Sequence, residues 1–348
     1  MRSYILILFL LIPIILLAQP LRQRSMKRWG VSPANYSGIT SIGDNRFVFV
    51  SDKGDADGFY IMTIKQDPET GQVIEVVPEN YVENTSSTRT STRDCEGVAF
   101  FPASGTLFIS GEGDQQILEY AMDGRPTGRA LQIPSEFASD KIYTNLGFEA
   151  LAYSNHTHHF WAITEAPLKA DGKPNSPQNP TSQNYLRLQS FGDDLQPVAQ
   201  YAYRMDFAKS IKPGRSHSHG VPALCALPDG RLLALEREIR VSPNLLSSKV
   251  ECKIFVINPL ESHQIDSFTN FERLDPNHFM IKTLVATFKT HLNPVQYTFA
   301  NYEGMCLGAR LNDGTQTVLL ISDSQAGLSK GFIKLKDYIK VVKLPSGF

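Results

Sequence analysis

The chain has 348 residues with 34 basic and 35 acidic side chains, so its formal net charge at pH 7 is −1. Without a basic excess it is a poor candidate for binding nucleic acid through the phosphates. Its length allows two ordinary domains, but single β-barrels and β-propellers also reach this size.

The first residues are typical of a secretory signal peptide over residues 1–18. Arg2 supplies the positive start, and Tyr4–Leu17 is an apolar run interrupted by Pro13. The run is about 14 residues long, whereas a membrane-spanning helix needs roughly 20. We therefore expect export to the periplasm, the cell surface or the medium. A single mature domain over 19–348 would have no membrane span, and a retained N-terminal anchor is the alternative.

An internal repeat runs through the rest of the chain. Each copy is an apolar strand, a turn and a second apolar strand that ends near an acid. The five copies are Ser37–Lys53, Glu96–Gly113, Glu149–Ala166, Pro222–Arg237 and Glu303–Ser324. Turn sequences such as Asp44-Asn45 and Asp229-Gly230 separate the two strands, which predicts β-hairpins. Strands that are apolar throughout are expected to be buried on both faces.

More polar strands follow the hairpins and complete the repeat. They are Gly58–Pro68, Gln72–Pro78, Ile117–Gly124, Tyr185–Gly192, Gln196–Asp206, Lys249–Asn258, Ile281–Lys289 and a last region at Gly331–Leu344. About four strands with an apolar pair innermost form the blade of a propeller. The sequence thus predicts an all-β propeller with five recognisable four-stranded antiparallel blades around a central channel. A sixth, degenerate blade could lie in 261–301 or 175–183.

The ends of the chain are expected to close this ring together. The last blade, 303–344, lacks an outermost strand in the sequence pattern, and a strand at 26–31 is predicted to supply it. The cysteines are Cys95, Cys225, Cys252 and Cys306. Three of them lie inside apolar strand patterns, which favours buried thiols, although an oxidising compartment would permit disulfides.

The hairpins bring acids to one end of the channel, because an antiparallel hairpin starts and finishes at the same end. The predicted metal ligands are Glu96, Glu149 and Glu303 at first-strand starts, with Asp52, Glu112, Glu165, Glu236 and Asp323 at second-strand ends. Asp55, Asp57, Asp94 and Asp114 lie in the adjoining loops. Crowded carboxylates raise one another's pKa unless a cation compensates them. Calcium, with six to eight oxygen ligands in flexible geometry, suits such a site, and we expect Ca²⁺.

A purely structural interpretation of these acids stays open. They could accept hydrogen bonds from backbone N–H groups of the next blade, or pair with Arg93, Arg237 or Lys53. The same basic residues, with Lys169 and Lys330, are the candidates for binding an anionic substrate. Arg237 is the best placed of them, because it directly follows Glu236.

One short stretch combines serine with histidine. Gly214–Gly220 contains Ser216, His217 and His219, and we expect it to form a loop on the acidic face. There Ser216 could be a nucleophile with His219 or His217 as its base, or the histidines could bind a metal. Polar loop residues without a chemical role are the simpler interpretation. No Gly-x-Ser-x-Gly elbow in a strand-to-helix context supports a serine esterase.

Several of these sequences resemble the phytase-like family, described as the esterase-like activity of phytase. The resemblance rests on Glu96-Gly-Val-Ala-Phe, Glu149-Ala-Leu-Ala-Tyr, Leu235-Glu-Arg, Ile163-Thr-Glu and Tyr302-Glu-Gly-Met, and covers about Tyr36 to Val342. It implies a propeller that hydrolyses a phosphoester with calcium in an acidic channel mouth. The residues expected to carry such catalysis are Glu149, Glu96, Glu303, Arg237 and His219. The expected partner is a small anionic or ester substrate, and the expected state is a monomer.

Two other functions fit the same pattern. A calcium-dependent lactonase type of propeller would hold a single channel metal with a Glu, Asn and Asp set, to which Asn145, Asn293 and Asn301 could contribute. A non-catalytic exported propeller would bind a glycan, peptide or envelope partner. Catalysis predicts that Glu96, Glu149 and Glu303 converge beside a basic-lined pocket. A binding module predicts acids already paired with arginine.

Overall fold

The fold is known from a computed structural model, which describes residues 17–52, 57–84, 93–209, 212, 214, 216–292, 295, 299–324 and 336–348. Most of the predicted signal peptide, together with Lys53, Asp55, Asn293 and Lys330, lies outside the described residues.

The described residues form antiparallel β-sheets joined by turns and short 3₁₀ helices. The strands are β1 (Gln19–Pro20), β2 (Arg24–Ser25), β3 (Tyr36–Gly43), β4 (Arg46–Ser51), β5 (Gly58–Gln66), β6 (Val73–Glu83), β7 (Cys95–Phe101), β8 (Thr106–Gly111), β9 (Gln116–Tyr120), β10 (Pro126–Ala130), β11 (Phe148–Ser154), β12 (His159–Thr164), β13 (Tyr185–Gly192), β14 (Pro197–Arg204), β15 (Ser216–Ala226), β16 (Leu232–Val241), β17 (Lys249–Ile257), β18 (Gln264–Ile265), β19 (Lys282–His291), β20 (Asn301–Arg310), β21 (Gln316–Asp323) and β22 (Tyr338–Lys343). The 3₁₀ helices are Met26–Trp29, Ser135–Phe137, Ser139–Lys141, Leu245–Ser247, Pro259–Glu261, Phe271–Arg273 and Pro276–His278.

The sheets are the five blades of a propeller, as the sequence predicts. Blades 1 to 5 are β3-β4-β5-β6, β7-β8-β9-β10, β11-β12-β13-β14, β15-β16-β17-β19 and β20-β21-β22. Each innermost strand contacts the innermost strands of both neighbouring blades, and β20 contacts β3, so the circle is complete. The inner ends of all five blades therefore surround one channel.

The chain ends meet in blade 5, but not at the predicted strand. β1 and β2 pair with β22, through Gln19–Lys343 and Arg24–Ile339. The prediction of a strand at 26–31 was wrong, because Met26–Trp29 forms a 3₁₀ helix that ends at Gly30 in the left-handed conformation. Pairing over only two residues at a time leaves almost no periodic pattern in the sequence.

No sixth blade occurs in the described part of the two candidate regions. β18 adds to the outer edge of blade 3 through β14, and β19 is the outermost strand of blade 4. Tyr185 stacks on Phe271 and Phe279, which fastens this insertion to blade 3. In 175–183 there is one isolated bridge, between Ser176 and Asn179.

The core lies between the blades, which explains why the hairpin strands are apolar on both faces. In β4, Phe47 and Phe49 pack towards blade 5, while Val48 and Val50 pack towards blade 2. Successive side chains of a strand point to opposite faces, so each inner strand supplies two separate cores.

Two further findings concern the sequence predictions. All four cysteines are buried and unbonded, which agrees with the interpretation as buried thiols. Within the described ranges, no helix is long and apolar enough to cross a membrane.

Candidate functional site

Two circles of side-chain positions surround one mouth of the channel. Equivalent positions follow from matching strand pairs in the five blades, for example Val98 with Ile109 and Leu151 with Ala162. The inner circle, on the first strands, is Ser37, Glu96, Glu149, Pro222 and Glu303. The outer circle, in or just beyond the second strands, is Asp52, Glu112, Glu165, Arg237 and Asp323. Four blades thus place an acid in the outer circle, and blade 4 places an arginine there.

A β-bulge occurs at the inner circle in every blade. In blade 3, Phe148 and Ala150 pair with the consecutive residues Thr164 and Ile163, so Glu149 is an extra residue. The same register shift surrounds Ser37 in blade 1 and Glu303 in blade 5, and it also occurs in blades 2 and 4. Bulges re-aim a side chain and are frequent beside active sites. The bulges therefore make this layer of the channel differ from the regular strands below it.

Small residues follow the bulges because neighbouring blades touch there. A Cβ atom on Gly38 would lie 2.3 Å from the carbonyl oxygen of Glu96, and one on Gly97 would lie 2.7 Å from that of Glu149. The channel below the acids is a cavity of about 10 Å³, the size of one water molecule. Any larger ligand must therefore reach the acids from the mouth.

Five acids gather on the side of blades 1 to 3, and we call them the open half: Asp52, Asp94, Glu96, Glu112 and Glu149. One oxygen from each of Glu96, Glu112 and Glu149 lies within 4.8 Å of the others. The same is true of Asp52, Asp94 and Glu96. Glu96 belongs to both groups, which makes it the centre of the open half.

Burial and neighbouring acids shift the pKa of two members of the open half, Glu96 and Glu149. Burial is the largest effect that raises the pKa of Glu96 well above its usual value, followed by the charges of Glu149 and Asp52. Burial also raises the pKa of Glu149, with the charges of Glu165 and Glu112 next. Both acids thus tend to keep a proton, since their charged forms are poorly solvated and repel each other. Carboxylate oxygens in this number suit Ca²⁺ or a similar hard cation.

The other side of the mouth is already neutralised, and we call it the closed half: Glu165, Arg237, Asn301 and Glu303. Arg237 Nη1 donates to Glu303 Oε1 at 2.8 Å and to Asn301 Oδ1 at 2.7 Å. Its Nη2 donates to Glu165 Oε1. Burial lowers the pKa of Arg237, but the charges of Glu165 and Glu303 outweigh that effect and raise it. Here the structural interpretation of paired acids is confirmed.

Glu236 does not join either half. It is the blade-4 equivalent of Ser51, Gly111, Thr164 and Ser322, which come just before the outer circle. Its side chain accepts from Tyr203 at 2.8 Å and from Lys282 Nζ at 2.5 Å. Asp323 does lie at the mouth, where its charge raises the pKa of Glu303.

Glu236 belongs to what we call the blade-4 cluster, a group of acids and lysines beside blade 4. The acids are Asp206, Glu236, Glu238 and Glu251, and the lysines are Lys209, Lys253, Lys282 and Lys289. The lysine side chains pair with Asp206, Glu236 and Glu251, whereas Glu238 accepts from the backbone N–H of Lys209. Lys282 also pairs with Asp206 at 2.8 Å. Among the described residues, lysine side chains lie beside the acids of this cluster, unlike those of the open half.

The serine–histidine stretch is part of strand β15, not a loop. Ser218 faces the mouth and donates to Glu165 at 2.6 Å, whereas His217 lies 3.2 Å from Glu238 in the blade-4 cluster. His219 is buried on the same side as His217, and Nδ1 has no hydrogen-bond partner among the described residues. Alternation along the strand thus separates the serines from the histidines, and it puts His219 away from the acids of the mouth.

The predicted basic and loop residues have mostly local partners. Arg93 is buried, pairs with Asp114 at 2.9 Å and donates to the carbonyl of Gln116 at 2.7 Å. Lys169 donates to the carbonyl of Asp140 at 2.9 Å. Asp57 accepts from the backbone N–H of Arg93 at 2.7 Å. These residues hold the loops together, and Asn145 is exposed outside both halves.

Two contributors to the mouth were not among the predicted ligands. Asp94 appeared only as a nearby loop acid, yet it forms a group with Asp52 and Glu96. Its φ of 57° is a left-handed conformation, which is uncommon away from glycine. Ser218 donates to Glu165 of the closed half, where Asn301, expected as a ligand only in the lactonase alternative, accepts from Arg237. Asp94 directly precedes β7, the strand that contains Glu96, and this position in the sequence was the signal that could have identified it.

The chain is similar to a protein-family model and to several solved structures. The family model "Phytase-like: Esterase-like activity of phytase" matches residues 34–325. A comparison with curated proteins gave no match. Solved structures with similarity include an endo-arabinase from Bacteroides thetaiotaomicron VPI-5482, with 10% identity, TM-score 0.44 and coverage of 90% of this chain and 94% of that chain. The catalytic domain of a Coprinopsis cinerea GH62 alpha-L-arabinofuranosidase has 10% identity, TM-score 0.43 and coverage of 94% and 95%. No inference about chemistry follows from TM-scores of this size.

Proposed function

The chain belongs to the phytase-like family, and we propose that it is an exported hydrolase that needs a divalent cation, calcium first, to cleave a phosphoester or a related ester. The site of this reaction is the open half of the channel mouth. The substrate is a small anionic or ester compound that approaches from outside, since the cavity inside the channel, at and just below the inner circle, has a volume of only about 10 Å³.

One observation carries the proposal. Glu96, Glu112 and Glu149 bring three oxygens within 4.8 Å of one another, and the charges that act most strongly on Glu96 are all negative. A buried group of like charges is unstable unless protons or a cation neutralise it. Three carboxylates that share a cation also leave room for water and substrate oxygens in its coordination shell.

The residues of the open half would hold the cation. Glu96 is central because it belongs to both groups of three, with Glu112 and Glu149 on one side and Asp52 and Asp94 on the other. A bound calcium ion would offset the negative charge of the substrate and make a water molecule a better nucleophile. Arg93 and Arg237 are already hydrogen-bonded to Asp114 and Glu303, so in this proposal the cation binds the phosphate and these arginines do not.

Glu149 is our candidate for moving the proton. Its side chain is half-buried at the mouth, and in the metal-free protein burial and the charges of Glu165 and Glu112 raise its pKa. A bound cation would favour the ionised form of Glu149, which is the form that accepts a proton. Glu149 would then accept the proton of the attacking water and later release it to the leaving group.

The test uses full-length mature protein freed of metal with a chelator. We expect calcium to raise the unfolding temperature and to be required for hydrolysis of p-nitrophenyl phosphate or p-nitrophenyl acetate. Glu149→Gln should fold, bind calcium more weakly and lose hydrolysis. The matched control is Glu119→Gln, which removes a buried acid of blade 2 that pairs with Arg129 away from the mouth. A protein that calcium neither stabilises nor activates on either substrate contradicts the proposal.

A further inference from the structure

We propose that the guanidinium of Arg237 takes the place of one cation at the channel mouth, in a second subsite formed by Glu165, Asn301 and Glu303. This inference rests on the proposed function, because it assumes that the open half binds a cation. It goes further because it assigns the closed half as a second cation subsite, which the side chain of Arg237 occupies.

The geometry around Arg237 is that of an oxygen cage. Two carboxylates and one amide carbonyl converge on the terminal nitrogens, at 2.8 Å for Glu303 and 2.7 Å for Asn301, with Glu165 as the third. The hydroxyl of Ser218 lies 3.4 Å from Nη2. Carboxylate, amide and hydroxyl oxygens around one buried positive charge are also the ligand types that hard cations take.

The contacts of Arg237 are confined to the end of its side chain. The side chain is 4% exposed, yet Nε has no hydrogen-bond partner among the described residues. Four of the five N–H donors of the guanidinium have partners, and all four are on the two terminal nitrogens. The surrounding oxygens therefore converge on one end of the side chain, so a compact ion at that point would contact the same oxygens.

The fivefold pattern of the mouth supports this substitution. Arg237 occupies the outer-circle position at which the other blades have Asp52, Glu112, Glu165 and Asp323. Blade 4 also has Pro222 where blades 2, 3 and 5 have glutamate in the inner circle. Blade 4 is thus the one that brings a positive charge to the mouth instead of negative ones.

Arg237 should also act on the open half through space. Arg237 in the outer circle of blade 4 and Glu149 in the inner circle of the adjacent blade 3 lie at the same mouth. A fixed positive charge beside Glu149 repels a cation bound there, since interactions of buried charges are weakly screened. Arg237 would therefore lower both the number of cations that the mouth holds and the affinity for the first one.

The experiment is a calorimetric titration of chelator-treated mature protein with calcium chloride. We compare wild type with Arg237→Gln and with Arg237→Lys, which keeps the charge. We expect Arg237→Gln to bind one more calcium ion than wild type, and its first ion about tenfold more tightly. Arg237→Lys should bind the same number as wild type. Calcium should also raise the unfolding temperature of Arg237→Gln more than that of wild type.

Each outcome decides the proposal. Equal stoichiometry in wild type and Arg237→Gln overturns it, even if both bind calcium as the proposed function requires. If wild type binds none, the proposed function fails, whereas one ion bound by Arg237→Gln still supports the subsite. If Arg237→Gln is unfolded without calcium but folds with it, the ion has replaced the guanidinium. If millimolar calcium does not restore folding, the arginine has a role that no cation fills, and the inference is wrong.

Discussion

The open half of the mouth and the blade-4 cluster are two groups of acids that differ in the charge of the side chains beside them. In the blade-4 cluster, Glu236 pairs with Lys282, and Lys253 lies opposite Glu236 on the next strand. In the open half, the charges nearest to Glu96 are those of Glu149 and Asp52. The acids of the first group thus have lysine partners, and we expect an added cation to stabilise the second group.

This difference shows that an acid at a strand end is not itself a metal-site signal. The partner residues on the neighbouring strands decide its role, because a nearby lysine can neutralise a carboxylate that would otherwise be left buried and charged. Lys253 and Lys282 on β17 and β19 do this in blade 4. The inner circle has no following strand on its channel side, so Glu96 and Glu149 meet other acids instead.

The largest expected effect is the loss of calcium binding when Glu96, the central acid of the open half, is replaced. We expect Glu96→Gln to weaken calcium binding by at least about 100-fold and to abolish hydrolysis, because affinity follows the number of charged ligands. The metal-free variant should be as stable as wild type or more so, since it removes a repelling buried charge. Calorimetry and thermal unfolding measure the two effects. Retained calcium affinity in a folded Glu96→Gln protein would place the site elsewhere.

Glu236→Gln in the blade-4 cluster should have the opposite effects to those of Glu96→Gln. It leaves Lys282 partly buried with Asp206 as its remaining acid, so we expect a loss of about 3 kcal/mol in the free energy of unfolding. Calcium affinity should stay within about threefold of wild type, because Glu236 is on the other side of its strand from the mouth. Urea unfolding with and without calcium checks both numbers. A large drop in calcium affinity would mean that the two regions act as one site.

The stability of the metal-free protein should depend on pH because two acids of the open half titrate. Glu96 and Glu149 have pKa values raised by burial and mutual repulsion. Below about pH 4.5 both the folded and unfolded states are protonated, so the full stability is present. As the pH rises, the unfolded state loses its protons first, and stability falls through the raised pKa values.

Calcium should remove this loss. At 100 times its dissociation constant, a ligand specific to the folded state adds about 2.7 kcal/mol. The unfolding temperature should therefore fall from about pH 5 to pH 8 without calcium and change much less with it. Glu96→Gln should flatten the metal-free curve in the same way. A metal-free protein that gains stability over this range relative to Glu96→Gln would contradict the assignment of Glu96 as an uncompensated acid.

The sequence predicts the blades well because their signals are local. Turn residues and strands that are apolar on both faces locate the hairpins, and the prediction Gly58–Pro68 nearly matches β5 at Gly58–Gln66. The strands at the N-terminal end that complete blade 5 could not be predicted, because Gln19–Pro20 and Arg24–Ser25 are too short to show a periodic pattern. Their pairing depends on β22, which is more than 300 residues away in the chain.

The mouth is only partly predictable, for two physical reasons. Assigning Glu236 to the circle was an error of one residue, and Arg237 is the true equivalent of Glu165. The preceding residues of the other blades are Ser51, Gly111, Thr164 and Ser322, a small or hydroxyl pattern that could have revealed the shift. The bulges at Glu149 and Glu303 depend on pairing register, which no pattern along a single strand contains. Which acids meet a cation depends on contacts between blades.

The smallest expected effect tests whether His219 belongs to the blade-4 cluster. Burial lowers the pKa of His219 to about 4 in the folded protein. An unfolded histidine has a pKa of about 6.5, so the unfolded state takes up its proton first as the pH falls. Stability should therefore decrease between about pH 6.5 and pH 4, by about 2 kcal/mol at pH 5 relative to pH 7.5.

His219→Gln should lose this dependence, and the difference between the two proteins isolates the histidine from the carboxylates that titrate nearby. Calcium affinity should be the same in both, since His219 faces Glu236 and Glu238 across a small cavity, away from the open half. If His219→Gln instead keeps the acid-side loss of stability but loses hydrolysis at neutral pH, the histidine acts on the mouth. The boundary drawn between the two acidic regions would then be wrong, because strand alternation would not have separated their chemistry.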